Sequence, residues 1–198
     1  MVDRTMKKLV VIASSTGGPK ALHNLIPMLP KNLDAPVVIV QHMPKGFTAS
    51  LAERINETSD ISVSEVKDGE ILQKGHVYLA KGGKHLQIIK NKDGMLAFCE
   101  NDAEPVNGLR PCANVTLESL IPLAIERVVC VVLTGMGADG FIGIKKLKEN
   151  QSIYTIAQNE ESCVVYGMPK AIVENGIADV VLPLEKISEA ITKKTGVF

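Results

Sequence analysis

Three runs of this chain are apolar at every position: residues 9–12, 37–40 and 128–133. Such continuous, largely β-branched runs are expected of strands buried on both faces, as in a parallel sheet. Shorter strand patterns cover residues 61–66, 76–80, 153–157 and 180–182. Helix signals fall between them. One helix is expected from Pro19 to about Met28, where Pro30 follows. A second starts at Thr48, read as its N-cap, and runs to about Glu57. A third covers about 112–126, with Pro122 near its end, and a fourth ends near Asn150. A fifth covers 169–174, with Gly176 just past it, and a last one begins near Leu184. Residues 86–90 and 95–99 flank Asn91-Lys92-Asp93-Gly94, a good hairpin signal. Strands alternating with helices predict an α/β fold: a doubly wound, mostly parallel sheet with helices on both faces and an antiparallel hairpin at one edge.

With 198 residues, the chain is expected to form a single domain over 1–198. Lysines and arginines number 22, as do aspartates and glutamates. That balance removes the simplest argument for nucleic acid or an anionic membrane as partner. No apolar run approaches a membrane span, and residues 1–8 carry no signal-peptide cleavage pattern. Cys99, Cys112, Cys130 and Cys163 are scattered without a C-x-x-C pair. They read as reduced thiols of a cytoplasmic protein, with no metal site.

Parallel sheets bind ligands beyond the carboxyl ends of their strands. Three loops at such ends carry reactive groups. Ser15 follows the first strand within Ala13-Ser14-Ser15-Thr16-Gly17-Gly18-Pro19, close to a G-x-S-x-G elbow but with Ala13 in the first glycine's place. His42 follows the second strand, and Asp139 lies in the glycine-rich loop 134–140. Serine, imidazole and carboxylate are the parts of a nucleophilic triad. Each also has a plainer reading: Ser14 or Ser15 as a helix cap or phosphate-loop hydroxyl, His42 as a turn cap, Asp139 as the N-cap of the helix it precedes. Their shared sheet edge favours the triad. His23, His76 and His85 have no evident partner in the pattern.

The same loops resemble the catalytic domain of chemotaxis protein-glutamate methylesterases of the CheB type. The resemblance rests on Ser15-Thr16-Gly17-Gly18, Gln41-His42-Met43-Pro44-Lys45-Gly46-Phe47-Thr48, Leu133-Thr134-Gly135-Met136-Gly137-Ala138-Asp139-Gly140 and the stretch 157–169, in order along nearly the whole chain. It implies Ser15 as nucleophile, His42 as its base and Asp139 as the third member. It implies hydrolysis of glutamyl methyl esters on the cytoplasmic domain of methyl-accepting chemotaxis receptors, and deamidation of receptor glutamines, without metal or organic cofactor. Arg110 matches a family arginine and is a candidate substrate contact. The chain departs from the family at Ala13-Ser14, where Gly-Ala is usual, at a second arginine missing near Arg110, and at Asn114, where aspartate is common. The family's usual N-terminal receiver domain is expected to be absent.

The expected mechanism is attack by Ser15 with His42 as general base, and backbone N–H groups of Thr16 and Met136 as oxyanion donors. Two other readings stand beside it. A Rossmann-like phosphate binder would use the glycine loops 15–18 and 135–140, although the full G-x-G-x-x-G spacing is missing. A receptor-binding module without catalysis would carry the same three residues apart from one another.

Overall fold

The computed structural model describes residues 7–198; the leader reading concerns positions partly outside that range. Seven strands form one parallel sheet: β1 (Lys8–Ser14), β2 (Val37–Gln41), β3 (Ser62–Glu65), β4 (His76–Leu79), β7 (Arg127–Val132), β8 (Ile153–Gln158) and β9 (Val180–Leu182). Their order is β3-β4-β2-β1-β7-β8-β9. The runs that are apolar throughout became β1, β2 and β7, the three central strands. Between the halves, β5 (His85–Lys90) and β6 (Leu96–Asn101) pair antiparallel as the expected hairpin, which stands as its own two-stranded sheet.

Alternation along each central strand sends side chains to two cores. Val10, Ile12, Val37, Ile39, Val129 and Val131 face α1 (Gly18–Leu25), α2 (Thr48–Glu57) and α6 (Leu184–Thr195). Leu9, Val11, Val38, Val40, Val128 and Val132 face α3 (Ala113–Glu118), α4 (Phe141–Asn150), α5 (Met168–Glu174) and the hairpin. The sheet is thus covered on both sides, as a parallel sheet requires.

The winding fixes where a ligand can sit. From β1 the chain moves outward through α1 to β2 and then to the β3-β4 edge. It returns to β7 on the other flank of β1 and winds outward through α4, on the opposite face, to β8 and β9. The loops after β1 and β7 therefore diverge around a crevice, the switch point at which open α/β sheets take their ligands.

Two local expectations are corrected. The third helix stops at Glu118 rather than near 126. Pro122 lacks an N–H and its ring would press on the carbonyl four residues back, that of Glu118. Ser119 closes the helix by donating its hydroxyl to Thr116 O at 2.6 Å. Thr48 is the first residue of α2 and not its cap, which is Phe47. Its buried hydroxyl instead bonds Glu65 and accepts the Gly82 N–H at 3.0 Å, tying α2 to β3 and to the loop after β4.

Candidate active site

The first loop turns on two glycines with different tasks. Gly17 has φ 83°, the left-handed region that glycine enters without steric cost. Gly18 begins α1 where any Cβ would strike the Gln41 carboxamide and lie 3.0 Å from Ser14 Cβ. The tight turn leaves Ser15 half-buried at the tip of β1. Its N–H donates to Thr134 O at 3.1 Å, so the β1 and β7 loops are joined at the serine itself. Among the described residues the Ser15 hydroxyl has no hydrogen-bond partner. Ser14 differs completely: it is fully buried and donates its hydroxyl to Gln41 Oε1 at 2.7 Å.

His42 follows β2, the neighbour of β1, and its N–H donates to Ser14 O at 3.0 Å. Its Nε2 lies 2.6 Å from Asp139 Oδ2, and both side chains are largely buried. With Nε2 engaged, Nδ1 is the ring nitrogen left for another partner. Asp139 is held by further donors. Oδ2 accepts the Ala113 N–H at 2.6 Å. Oδ1 accepts the N–H groups of Asn114 at 3.0 Å and Gly140 at 2.9 Å, and the Cys112 thiol at 3.1 Å. Burial alone would push this carboxyl up, yet the bonds from His42, Ala113, Asn114 and Cys112 outweigh it and hold Asp139 below the ordinary aspartate range. The Cys112 thiol is pushed up to about 12 by burial and by the carboxylate beside it, so it stays protonated.

Asp139 therefore does cap a helix, but not the one it precedes. It satisfies the first N–H groups of α3, while Gly140 is the N-cap of α4. Asn114, at the start of α3, answers by accepting the Gly140 N–H at 3.0 Å and the Gly143 N–H at 2.8 Å, serving the N-terminus of α4. The two helices cap each other. Asn114 thus faces α4, buried, in the place where the family pattern has aspartate.

The rest of the β7 loop leans on Ser15. A Cβ on Gly135 would lie 2.8 Å from Ser15 Cβ and would also collide with Met168, so only glycine fits. Thr134 ties three segments together: its hydroxyl donates to Thr16 O at 2.9 Å and accepts the Val164 and Val165 N–H groups at 3.1 and 3.0 Å. Among the described residues the N–H groups of Thr16 and Met136 have no partner. Met136 is 70% exposed, and a cavity of about 320 Å³ opens beside it, lined by Leu109, Asn114, Asp139, Phe141 and Ile142. Arg110 lies on the loop that leads into α3. Its guanidinium donates to the carbonyls of Asp102 and Ala103, both at 3.0 Å, and it has no bond to Ser15, His42 or Asp139.

The structure thus brings His42 and Asp139 into contact and, through the Ser15 N–H bond to Thr134 O, holds Ser15 against the loop that carries Met136. Gln41, Thr134 and Asn114 escaped the sequence reading as working parts of this edge. The signal for Gln41 was available: a glutamine closes both β2 and β8, and each carboxamide is buried against a loop. Gln158 accepts the Thr134 N–H at 2.8 Å and donates to Ser162 O at 2.8 Å, as Gln41 serves the neighbouring loops.

A doubly wound parallel sheet with serine, histidine and aspartate at its switch point defines a class of α/β protein built for hydroxyl chemistry. Residues 10–191 match the family model described as CheB methylesterase. The chain belongs to that family. It is 48% identical over 188 residues to the protein-glutamate methylesterase/protein-glutamine glutaminase of Bacillus subtilis, covering 95% of this chain and 52% of that protein. The protein of the same name from Geobacillus kaustophilus is 46% identical over 193 residues, covering 98% of this chain and 55% of the relative. The crystal structure of the Thermotoga maritima CheB methylesterase catalytic domain superposes with a TM-score of 0.89 at 46% identity, covering 94% of this chain and 97% of that one. The chain spans about half the length of the curated relatives it matches.

Proposed function

We propose that this chain is a serine esterase that hydrolyses glutamyl methyl esters on the cytoplasmic part of chemotaxis receptors, and that it deamidates receptor glutamines by the same route. The carrying observation is the 2.6 Å contact of His42 with Asp139 on the loop beside Ser15. In this mechanism Asp139 fixes the imidazole with Nε2–H towards the carboxylate, so Nδ1 takes the Ser15 proton. Ser15 Oγ attacks the ester carbonyl, and the oxyanion is received by the unpartnered N–H groups of Thr16 and Met136. The imidazolium gives its proton to the departing methoxide oxygen, releasing methanol, or to the departing amide nitrogen, releasing ammonia, when the substrate is a glutamine. Water, deprotonated by the same imidazole, then frees the glutamate and Ser15.

No helix among the described residues is long and apolar enough to cross a membrane. A cytoplasmic setting follows from the proposed substrate, which is receptor protein on that side of the membrane. In the same reading, residues 1–198 act as one catalytic domain. Arg110, its guanidinium on the carbonyls of Asp102 and Ala103, is the candidate substrate contact. The test is methanol release from methylated receptor membranes. The chain as it stands is expected to release methanol and Ser15→Ala to release none; equal release by both would overturn the assignment.

A further inference from the structure

The Gln41 side chain is 2% exposed and lies between the two loops that carry the nucleophile and its base. Its Nε2 donates to Ser15 O at 3.0 Å and to His42 O at 2.9 Å. Its Oε1 accepts the Ser14 hydroxyl at 2.7 Å. Both neighbours of Nε2 are carbonyls, which only accept, so the amide is fixed one way round. Ser14 and Gln41 are also register partners in the β1-β2 ladder, which puts the carboxamide level with the tips of both strands. Room for it exists because Gly18 has no side chain; any Cβ there would meet the carboxamide.

We infer that Gln41 is a positioning residue for the reaction: it clamps the Ser15 and His42 backbones together and so sets the reach of the imidazole to the hydroxyl. The inference rests on the serine-esterase reading above. Among the described residues Ser15 has no side-chain bond of its own to hold it, and the Asp139 contact fixes only the far side of His42. Beside the His42 N–H bond to Ser14 O, the amide of Gln41 supplies the side-chain link that reaches Ser15 itself. It touches neither substrate nor a proton in flight, so its effect is geometric. Displacing a reacting group by about 1 Å costs on the order of a hundredfold in rate.

Ser14 has a defined part in this clamp. Its hydroxyl occupies Oε1 and turns the donating end of the amide towards the two carbonyls. Loss of that hydroxyl leaves both Nε2 bonds in place, so Ser14→Ala is expected to weaken the clamp only mildly.

The experiment compares the unchanged chain, Ser14→Ala, Gln41→Met and Gln41→Asn. The active serine of each is titrated with a fluorophosphonate, and kcat is expressed per titrated serine for methanol release from methylated receptor. Gln41→Met fills the space without donors. Gln41→Asn keeps an amide one methylene too short to serve both carbonyls, and it keeps the test decisive if the methionine variant does not fold. Both are expected to lose about ten- to a hundredfold in kcat per titrated site. KM is expected to stay within about twofold, since no binding contact is removed. A purely structural role would lower melting temperature and the titratable fraction but leave kcat per titrated site unchanged. That outcome overturns the positioning role while leaving the esterase reading intact. An unchanged chain that neither releases methanol nor reacts with the fluorophosphonate overturns the esterase reading, and the inference with it.

Discussion

At position 14 the hydroxyl is fully buried and bonded; at position 15 it is half-exposed and unbonded among the described residues. Adjacent serines have been sorted by a two-residue alternation, since Ser14 still follows the pleat of β1 and Ser15 has left it. Ser15→Ala should therefore abolish methanol release, while Ser14→Ala keeps a substantial fraction, assayed side by side on methylated receptor. The inverse result would mean that the elbow had been read one residue out of register. Asp139 allows a second prediction. Asp139→Asn should cost turnover about ten-thousandfold, as the equivalent change does in serine proteases. It also turns an NH₂ group towards backbone donors that need an acceptor, which should cost about 1–3 kcal/mol of stability. Urea unfolding of the variant measures the second effect separately from the first. Near-normal turnover would reduce Asp139 to a helix cap.

The helices show how sequence legibility depends on who supplies the partner. α1 and α4 follow from apolar spacing and from glycine or proline at their starts, and α2 from apolar spacing, all local signals. The end of α3 was set by Pro122, and its effect reaches four residues upstream, earlier than the apolar pattern alone suggests. The start of α3 was harder still. Its first N–H groups are served by Asp139, 26 positions away, and no local pattern announces such a cap. The strands were legible for the opposite reason: β1, β2 and β7 are buried on both faces and declare it by being apolar throughout. The site was read through its three reactive side chains. The groups that hold them, Gln41, Thr134 and Asn114, are ordinary polar residues whose partners are known only once the sheet is assembled. Asn114→Ala takes the acceptor from the Gly143 N–H and one of two acceptors from the Gly140 N–H, and should cost about 1 kcal/mol, as other helix caps do. Since the same turn carries Asp139, its kcat should also fall; a variant of unchanged stability and turnover would deny that the two helices support each other.

For the molecule as a whole, acid is the informative stress. Three aspartates among the described residues are held low in the folded state; Asp102, fully exposed beside Lys84, is screened by solvent, and the other two are more enclosed. Asp139 is one, its burial outweighed by the donors around it. Asp34 is the other, bonded to Lys74 and Lys8, each at 2.6 Å, at the end of the sheet away from the active edge. A carboxyl whose folded pKa lies below its unfolded one stabilises the fold at pH above the unfolded value, and that contribution disappears as pH falls through the folded value. The aspartate contribution should therefore be complete at neutral pH and begin to decline near the ordinary value of 3.8, continuing below it, while His76, held by burial below its ordinary 6.5, should withdraw a part of the stability earlier, as pH falls through 6.5. Asp34→Asn should flatten part of this acid limb in thermal melts without altering turnover. A general-base mechanism makes ester hydrolysis sensitive to acid, so turnover should fall on acidification while thermal melts still report a folded protein. A rate that tracked the melting curve throughout would remove imidazole from the mechanism.

The grip of Asp139 on α3 also leaves a mark on proton exchange with solvent. Amides in the first turn of a helix ordinarily exchange fast, because nothing inside the helix accepts them. Those of Ala113 and Asn114 are buried and bonded to a carboxylate, so deuterium should enter them slowly, at rates closer to those of the sheet interior. Loosening of that single carboxylate would expose both amides together and free the imidazole at the same moment. Deuterium uptake at 113 and 114 would then report, without any substrate, the fraction of molecules whose catalytic edge is assembled.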